Sequence, residues 1–348
     1  MKLEEVSRGR KNNLDLIRFF AAIAVILCHA FPLTRGEGIP DSLSALTDDQ
    51  LSFGSLAVGI FFLYGGFLIC KSMCRLQTAK RYFKARILRI FPMLIVVTVV
   101  LAFVAGPVLT ELPVSEYFKS SGTYRYLLNG ILFLQHNLPG VFVNNIYGQA
   151  VNGPLWTLPI EFLCYVMCFV MYKLKLIDKK NMKWAVILFS AGCIGVKVIS
   201  GSIPALAPMI RPMGLFFAGM LYYVYRDKIP MRLSWCMVSF AGMVISLLTG
   251  IFPYTVFVFF PYFFLYLGYA TKWKCSGFAK HGEVSYGMYL CAWPVQQILV
   301  QLSGNEMSAW VNFILTVPIA ILIGFIGCKL IEEPIAKWAK KSRENQEV

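Results

Sequence analysis

Charge is scarce in this 348-residue chain: Asp, Glu, Lys and Arg together make up 15% of it, while 57% is hydrophobic. Soluble domains carry nearer a quarter charged residues, so a water-soluble globular protein is excluded and a membrane protein is left. Negative charge is the rarer sign, with 18 Asp and Glu against 33 Lys and Arg. Histidine is rarer still: His29, His136 and His281 are all there are. The ten cysteines lack zinc-ligand spacing. Cys70/Cys74 and Cys164/Cys168 are helical i, i+4 pairs with no His or Cys partner nearby, so no metal is expected and the thiols read as buried, free and structural. No internal repeat, low-complexity linker or appended soluble domain is expected, and the chain reads as a single membrane domain over 1–348.

What is present is a series of long apolar runs. The first, Leu14 to Leu33, is LDLIRFFAAIAVILCHAFPL. Twenty residues at about 1.5 Å each span roughly 30 Å, the hydrocarbon thickness of a bilayer. It follows Lys2, Arg8, Arg10 and Lys11, exceeds a signal-peptide core and has no small-residue cleavage site, so it is expected to stay as a signal anchor. Further spans are expected near Leu51–Cys70, Ile87–Val108, Leu155–Tyr172, Trp184–Ile199, Ala205–Tyr225, Leu233–Thr249, Phe252–Ala270, Val284–Leu302 and Ala309–Leu330. The fold class is therefore an all-α integral membrane protein of about ten transmembrane helices. A cytoplasmic N-terminus (1–13), a membrane domain (14–330) with a long outer loop (109–153) and a cytoplasmic tail (331–348) complete the layout. Within the loop, Tyr126–Leu134 is apolar but too short to cross and reads as re-entrant or interfacial.

Ten spans put both termini on one side. Of the 33 Lys and Arg, 27 fall on that side; Arg35, Lys119 and Arg125 lie opposite, and Arg18, Lys197 and Arg211 lie within spans. Positive charge collects on the cytoplasmic side, so both termini are expected there. The net charge of +15 is then mostly topology, and no nucleic-acid partner is expected.

Three polar side chains interrupt the first span. Asp15 and Arg18 sit one turn apart, and eleven residues from Arg18 to His29 return to within about 20° of the same face, about 16 Å further along. Ionisable groups within a span are costly and face a protein interior or a wet cavity. Arg18 alone also fits a snorkelling anchor. His29 is the only histidine within an expected span, and an imidazole, ordinarily titrating near neutrality, suits general acid–base work. Glu161 lies within span four, where it would orient or charge-stabilise that imidazole, or serve as a hydrogen-bonded structural carboxyl. Lys84, Arg86 and Arg89 cluster at the inner mouth of span three. Guanidinium groups bind phosphates bidentately, so the cluster suits a phosphate-bearing ligand, although ordinary positive-inside flanking accounts for it too. Trp156 reads as an interfacial anchor or a sugar-stacking platform. Arg211 reads as a snorkelling residue or a glycan contact, and Tyr286 and Tyr289 as hydrogen-bond donors to a reacting carbonyl or as buried structural tyrosines. Gly65-Gly66 reads as a close helix contact.

LDLIRFFAAIAVILCHAF resembles the opening helix of the acyltransferase-3 family, with its Arg-x10-His pattern at Arg18 and His29. GIFFLYGGFLI (Gly59–Ile69), RYFKARILRIFP (Arg81–Pro92), GPLWTLPIEFLCYV (Gly153–Val166), SYGMYLCAWPVQQ and IEEP (Ile331–Pro334) resemble further family motifs, in family order over nearly the whole chain. The resemblance implies a bacterial multi-pass enzyme of the cytoplasmic membrane. Such an enzyme moves an acyl group, most often acetyl, from acetyl-CoA or another acyl-CoA to a hydroxyl of exopolysaccharide, O-antigen or a lipid-linked sugar. Two departures stand out: Gly65 replaces the usual Ser of a Ser-Gly-Phe signature, and Ala292 stands where many members have His. Some members carry a C-terminal hydrolase-like domain, which this chain is expected to lack. The alternative from another class is a multi-pass transporter or flippase of a polysaccharide precursor; a scaffold without activity would leave the costly His29 and Glu161 unexplained.

Overall fold

The computed structural model describes residues 1–9, 11–199, 201 and 204–344; Arg10 of the first basic flank and residues 345–348 of the tail lie outside the described residues. Among the described residues the protein is helical, with isolated bridges but no strand. A helix stands at each stretch read as a span: α1 Leu14–Arg35, α2 Phe53–Leu76, α3 Ala79–Leu109, α4 Gly153–Lys173, α5 Met182–Ile199, α6 Ile210–Val224, α7 Leu233–Leu248, α8 Phe252–Tyr269, α9 Ser285–Leu302 and α10 Ala309–Gly327. Seven are long and apolar enough to cross a membrane, which makes this a multi-pass membrane protein. The other three fall short for identifiable reasons. In α6 the start of the apolar run is a 3-10 turn, Pro204–Met209, with Pro208 inside it, leaving 15 helical residues. The α7 helix has 16 residues, and α9 carries Gln296, Gln297 and Gln301 among its apolar residues.

Two boundaries shift markedly from the sequence expectation, and the apolar run of the outer loop takes its own form. The α3 helix starts at Ala79, eight residues early, so Lys80, Arg81, Lys84 and Arg86 stand on the helix and not in a loop before it. After α10 the chain does not leave the helix: a π-turn, Cys328–Glu332, absorbs the approach of Pro334 and a helix continues over Glu333–Glu344. The stretch expected as a tail from 331 is therefore helical across its described part. The apolar run in the outer loop forms a 3-10 helix, Tyr126–Ile131, closed by a left-handed Leu132.

The chain divides into two compact units. The first comprises Met1–Ala21, Ser55–Tyr82 and Ile160–Phe278. Its ends are tied down by hydrogen bonds: Leu3 N–H donates to Ile229 O at 2.9 Å, and the Asn13 side chain donates to Thr271 Oγ1 and Trp273 O while accepting from Cys275 N–H. Inside it α2 and α6 cross through glycine. A Cβ on Gly66 would overlap the Phe216 carbonyl, and one on Gly219 would overlap the Leu63 carbonyl, so each backbone sits where the other has no side chain. Gly65 instead faces the Phe216 ring with room for a methyl at 3.6 Å. The α7–α8 pair packs as a hairpin in the same unit.

The second unit comprises Ala22–Gly54, Phe83–Pro159 and Ala279–Val348. Its centre is the α9–α10 hairpin. Gln296, fully buried, donates to Ile26 O on α1 and to Asn312 Oδ1, both at 2.9 Å, and Asn312 donates back to Gln296 O. Intramembrane amides of this kind hold helices together because hydrocarbon offers their polar atoms no other partner.

Adding one methyl separates the two neighbouring glycines. Gly66→Ala is expected to cost about 1–3 kcal/mol by overpacking, read as a lowered unfolding temperature of the detergent-solubilised protein, whereas Gly65→Ala should leave that temperature nearly unchanged. Equal effects would show that the α2–α6 crossing is not glycine-dependent.

Candidate active site

His29 lies six residues from the end of α1, half-buried in the second unit. Its imidazole meets the Trp293 indole edge-on, with ring centroids 4.8 Å apart and planes at 73°. Trp293 is fixed in turn: its N–H donates to Ala150 O at 2.8 Å, the Tyr147 ring packs on it at 5.0 Å, and Gly153 lies so close to the indole that no side chain fits there. Burial and the nearby Glu37 carboxylate push the Tyr147 hydroxyl above its ordinary range, so it stays protonated at neutral pH.

One face of α9 stitches the end of the outer loop in place. Tyr289, Trp293 and Gln297 follow each other at i, i+4 and i+8 and so point the same way. The Tyr289 hydroxyl meets Thr157 Oγ1 at 2.6 Å and Pro154 O at 2.8 Å. Gln297 donates to Gly148 O and Ala150 O at 3.1 Å and accepts from Asn145 Nδ2 at 2.8 Å. Asn152, almost fully buried, donates to Leu290 O at 2.8 Å. That carbonyl is the one a helix would pair with residue 294, but residue 294 is Pro and has no N–H. The Asn152 amide thus caps a carbonyl orphaned by the proline next to the tryptophan that holds His29.

A carboxylate not singled out in the sequence also belongs here. Asp41, buried, caps the short helix Ser42–Leu46 by accepting from Leu43 and Ser44 N–H at 2.9 Å, and its second oxygen accepts from Phe53 N–H at 3.0 Å. It contacts Cys28, the neighbour of His29, and acts electrostatically on the imidazole. The Asp-Ser-Leu-Ser start of a helix was its sequence signal; its nearness to His29 depends on the turn between α1 and α2.

The other expected residues fall as follows. Arg18, half-buried in the first unit, lies over the Phe61 ring at 6.0 Å, with Asp15 one turn before it. Glu161 is also in the first unit and accepts a hydrogen bond from the Tyr165 hydroxyl. Tyr165 is itself held by Tyr82, whose hydroxyl donates to its carbonyl at 3.0 Å. His29 and Glu161 therefore belong to different units, and each takes the partners just named from its own. Arg211 lies over the Phe252 ring at 5.2 Å, and Trp156 is half-buried at the start of α4. The hydroxyls of Tyr286 and Tyr289 both donate to backbone carbonyls, Ile90 O and Pro154 O.

At the start of α3 the basic cluster divides. Arg89 ion-pairs with both Glu283 and Glu332, the latter from the IEEP motif, and stacks on the Tyr286 ring at 5.3 Å. The Lys84 ammonium sits over Trp338 at 5.0 Å. Arg86 and Arg89 line a cavity of about 420 Å³, bordered also by Glu283, Cys328, Glu332 and Glu333. Arg89 is thus committed to carboxylates, while Arg86 lines the cavity beside it. Among the described residues no group of His, Cys, Asp and Glu has the geometry to hold a metal.

Compared with known protein families, residues 11–332 match the family model described as an acyltransferase domain, Acyl_transf_3. The chain belongs to the acyltransferase-3 family. The acyltransferase is 26% identical over 337 residues to an O-acetyl transferase of Shigella phage Sf6, covering 93% of this chain and 96% of the phage protein. It is 33% identical over 165 residues to nodulation protein 10 of Rhizobium leguminosarum bv. viciae, covering 47% and 44% of the two chains. To acyltransferase MdmB of Streptomyces mycarofaciens it is 25% identical over 209 residues, covering 59% and 51%. No solved structure matches it. This protein is accordingly a membrane O-acyltransferase.

Two expectations follow from the clamps. Glu332→Gln should lower stability by about 1–3 kcal/mol, less than for a fully buried pair because the Arg89 side chain is 34% exposed; in an Arg89→Met background the same change should cost little, and thermal unfolding of the double-mutant cycle reads the coupling. Trp293→Phe keeps a ring beside His29 but removes the N–H to Ala150, and faster amide exchange over 145–153 checks that the indole holds the loop.

Proposed function

We propose that this acyltransferase moves an acetyl group from acetyl-CoA to a hydroxyl of a surface or lipid-linked carbohydrate in the bacterial cytoplasmic membrane, with His29 as general base. The observation that carries the reading is the imidazole held edge-on by Trp293 beneath the stitched loop. An ionisable side chain placed within a span and oriented by packing has the character of a reacting group. Similarity to a phage O-acetyl transferase over 93% of the chain supports acetyl as the group and an alcohol as the acceptor.

In this scheme the His29 imidazole removes the acceptor hydroxyl proton as the oxygen attacks the thioester carbonyl. Collapse of the tetrahedral intermediate breaks the carbon–sulfur bond, and the departing CoA thiolate takes the proton back from the imidazolium. The Asp41 carboxylate favours the imidazolium that forms in between. Arg86 and Lys84 receive the nucleotide phosphates at the cytoplasmic end of α3. Arg18 shares α1 with His29, about 16 Å away by helix rise, a span that an extended pantetheine arm matches. Trp156, in the same unit as His29, is proposed to support the acceptor.

Membrane vesicles carrying the wild type or His29→Ala at matched expression, supplied with radiolabelled acetyl-CoA, test the reading. Wild type should place label in hydroxylamine-sensitive, ester-linked glycan, and the variant should lose at least a hundredfold of that rate, within the range that general-base catalysis contributes. Full transfer by His29→Ala would overturn the mechanism. In the same assay Arg86→Ala should raise the KM for acetyl-CoA about tenfold, the loss of about 1.4 kcal/mol, with kcat little changed; an unchanged KM would remove Arg86 from the donor site.

A further inference from the structure

The sequence spaces four thiols as two helical pairs, and the fold of the first unit brings the pairs together. The Cys70 thiol on α2 lies within interaction range of Cys74, one turn along the same helix, and of Cys168 on α4. Cys164 lies close enough to Cys168 to interact with it electrostatically. Cys70, Cys164 and Cys168 are fully buried, whereas Cys74 is half-buried. All four are free thiols. At the Cys74 end stand a hydrogen-bonding Tyr223 hydroxyl and the Arg226 guanidinium, which lies over the Tyr223 ring at 4.2 Å.

This row has a direction. A buried thiol in apolar surroundings is inert, and a partly exposed one beside a guanidinium is reactive. Cys74 therefore has the access and the positive neighbour, Cys70 has contact with it, and Cys168 has contact with Cys70 but none of the exposure. We infer that Cys74, Cys70 and Cys168 form a redox relay in which a peroxide reacting at Cys74 ends as a reversible Cys70–Cys168 disulfide between α2 and α4.

The steps balance. The Cys74 thiolate attacks hydrogen peroxide, the O–O bond breaks, one water leaves and Cys74 becomes a sulfenic acid. Cys70 attacks the Cys74 sulfur, the S–O bond breaks and a second water leaves. Cys168 then attacks Cys70, forming the inter-helix disulfide and returning Cys74 as a thiol. In sum two thiols lose two hydrogens and one peroxide becomes two waters. Cys168 lies seven residues, about two turns, beyond Glu161, so the disulfide pins the helix that carries this carboxyl. A cytosolic glutathione pool would keep the relay reduced except under oxidant load.

The test uses the full-length protein in membranes, exposed to hydrogen peroxide, blocked with N-ethylmaleimide and digested without reductant for mass spectrometry. It reads the thiols directly and does not require acyl transfer. A linked Cys70–Cys168 peptide, dissolved by dithiothreitol, is expected. Cys74→Ala should slow its appearance with peroxide at least tenfold, yet leave it fully formed with diamide, which joins two thiols without a sulfenic acid. Exposed Cys275 reports that each oxidant reached the protein. Absence of the linked peptide with both oxidants while Cys275 reacts, or an unchanged peroxide rate in Cys74→Ala, would overturn the relay.

Discussion

A carbonyl oxygen in hydrocarbon has no water to fall back on, and every backbone break in a membrane-spanning helix must be repaired by the protein itself. The bond from Asn152 to Leu290 is such a repair, and the candidate site depends on it. Pro294 removes the amide that would have paired with Leu290, and the side chain that replaces it belongs to the segment that packs on Trp293. The break in the α9 hydrogen-bond ladder and the seating of the loop are therefore joined by one bond. With the loop seated, Trp293 finds Ala150 for its N–H and presents its ring edge to the imidazole. The same logic recurs in the outer loop, where Tyr117 donates to Ala102 O inside the π-turn that precedes Pro107.

Polar side chains in this protein consequently do two jobs. Some belong to helix packing: Gln296 with Asn312, and Tyr64 donating to Phe264 O at 2.7 Å. Others are held in place by packing, as the His29 imidazole is by Trp293. Arg89 shows the difference within a single cluster. Three basic residues follow one another along α3, and ion pairing with Glu283 and Glu332 turns one of them into a clamp across the π-turn after α10. Charge on its own does not separate a ligand-binding arginine from a structural one; the partners do.

The helices were legible in the sequence because hydrophobic length and period are local properties. So was the intramembrane histidine, because a single imidazole stands out in an apolar run. What was not legible is pairing at long range. Glu283 and Glu332 lie 194 and 243 residues beyond Arg89, and no periodicity announces that they will meet it. Cys70 and Cys168 read as separate helical pairs for the same reason. Asp41 was visible only as a helix cap, because its effect on His29 requires the chain to turn back between α1 and α2. The boundaries that shifted, at Ala79 and beyond Leu330, did so because charged residues and a proline near a helix end suggest termination, while a continuous helix and a π-turn accommodate them.

The stitch along α9 also has a consequence for biogenesis. Asn152 and Leu290 are 138 residues apart, and the chain leaves the ribosome with the loop first. The segment over His29 is therefore made, and its neighbouring helices inserted, well before the helix that fastens it exists. A chain truncated short of residue 285 would hold its histidine without Trp293 beside it. Assembly of the site is thus a late event in synthesis, set by the order of the genetic message and not by the strength of any one contact.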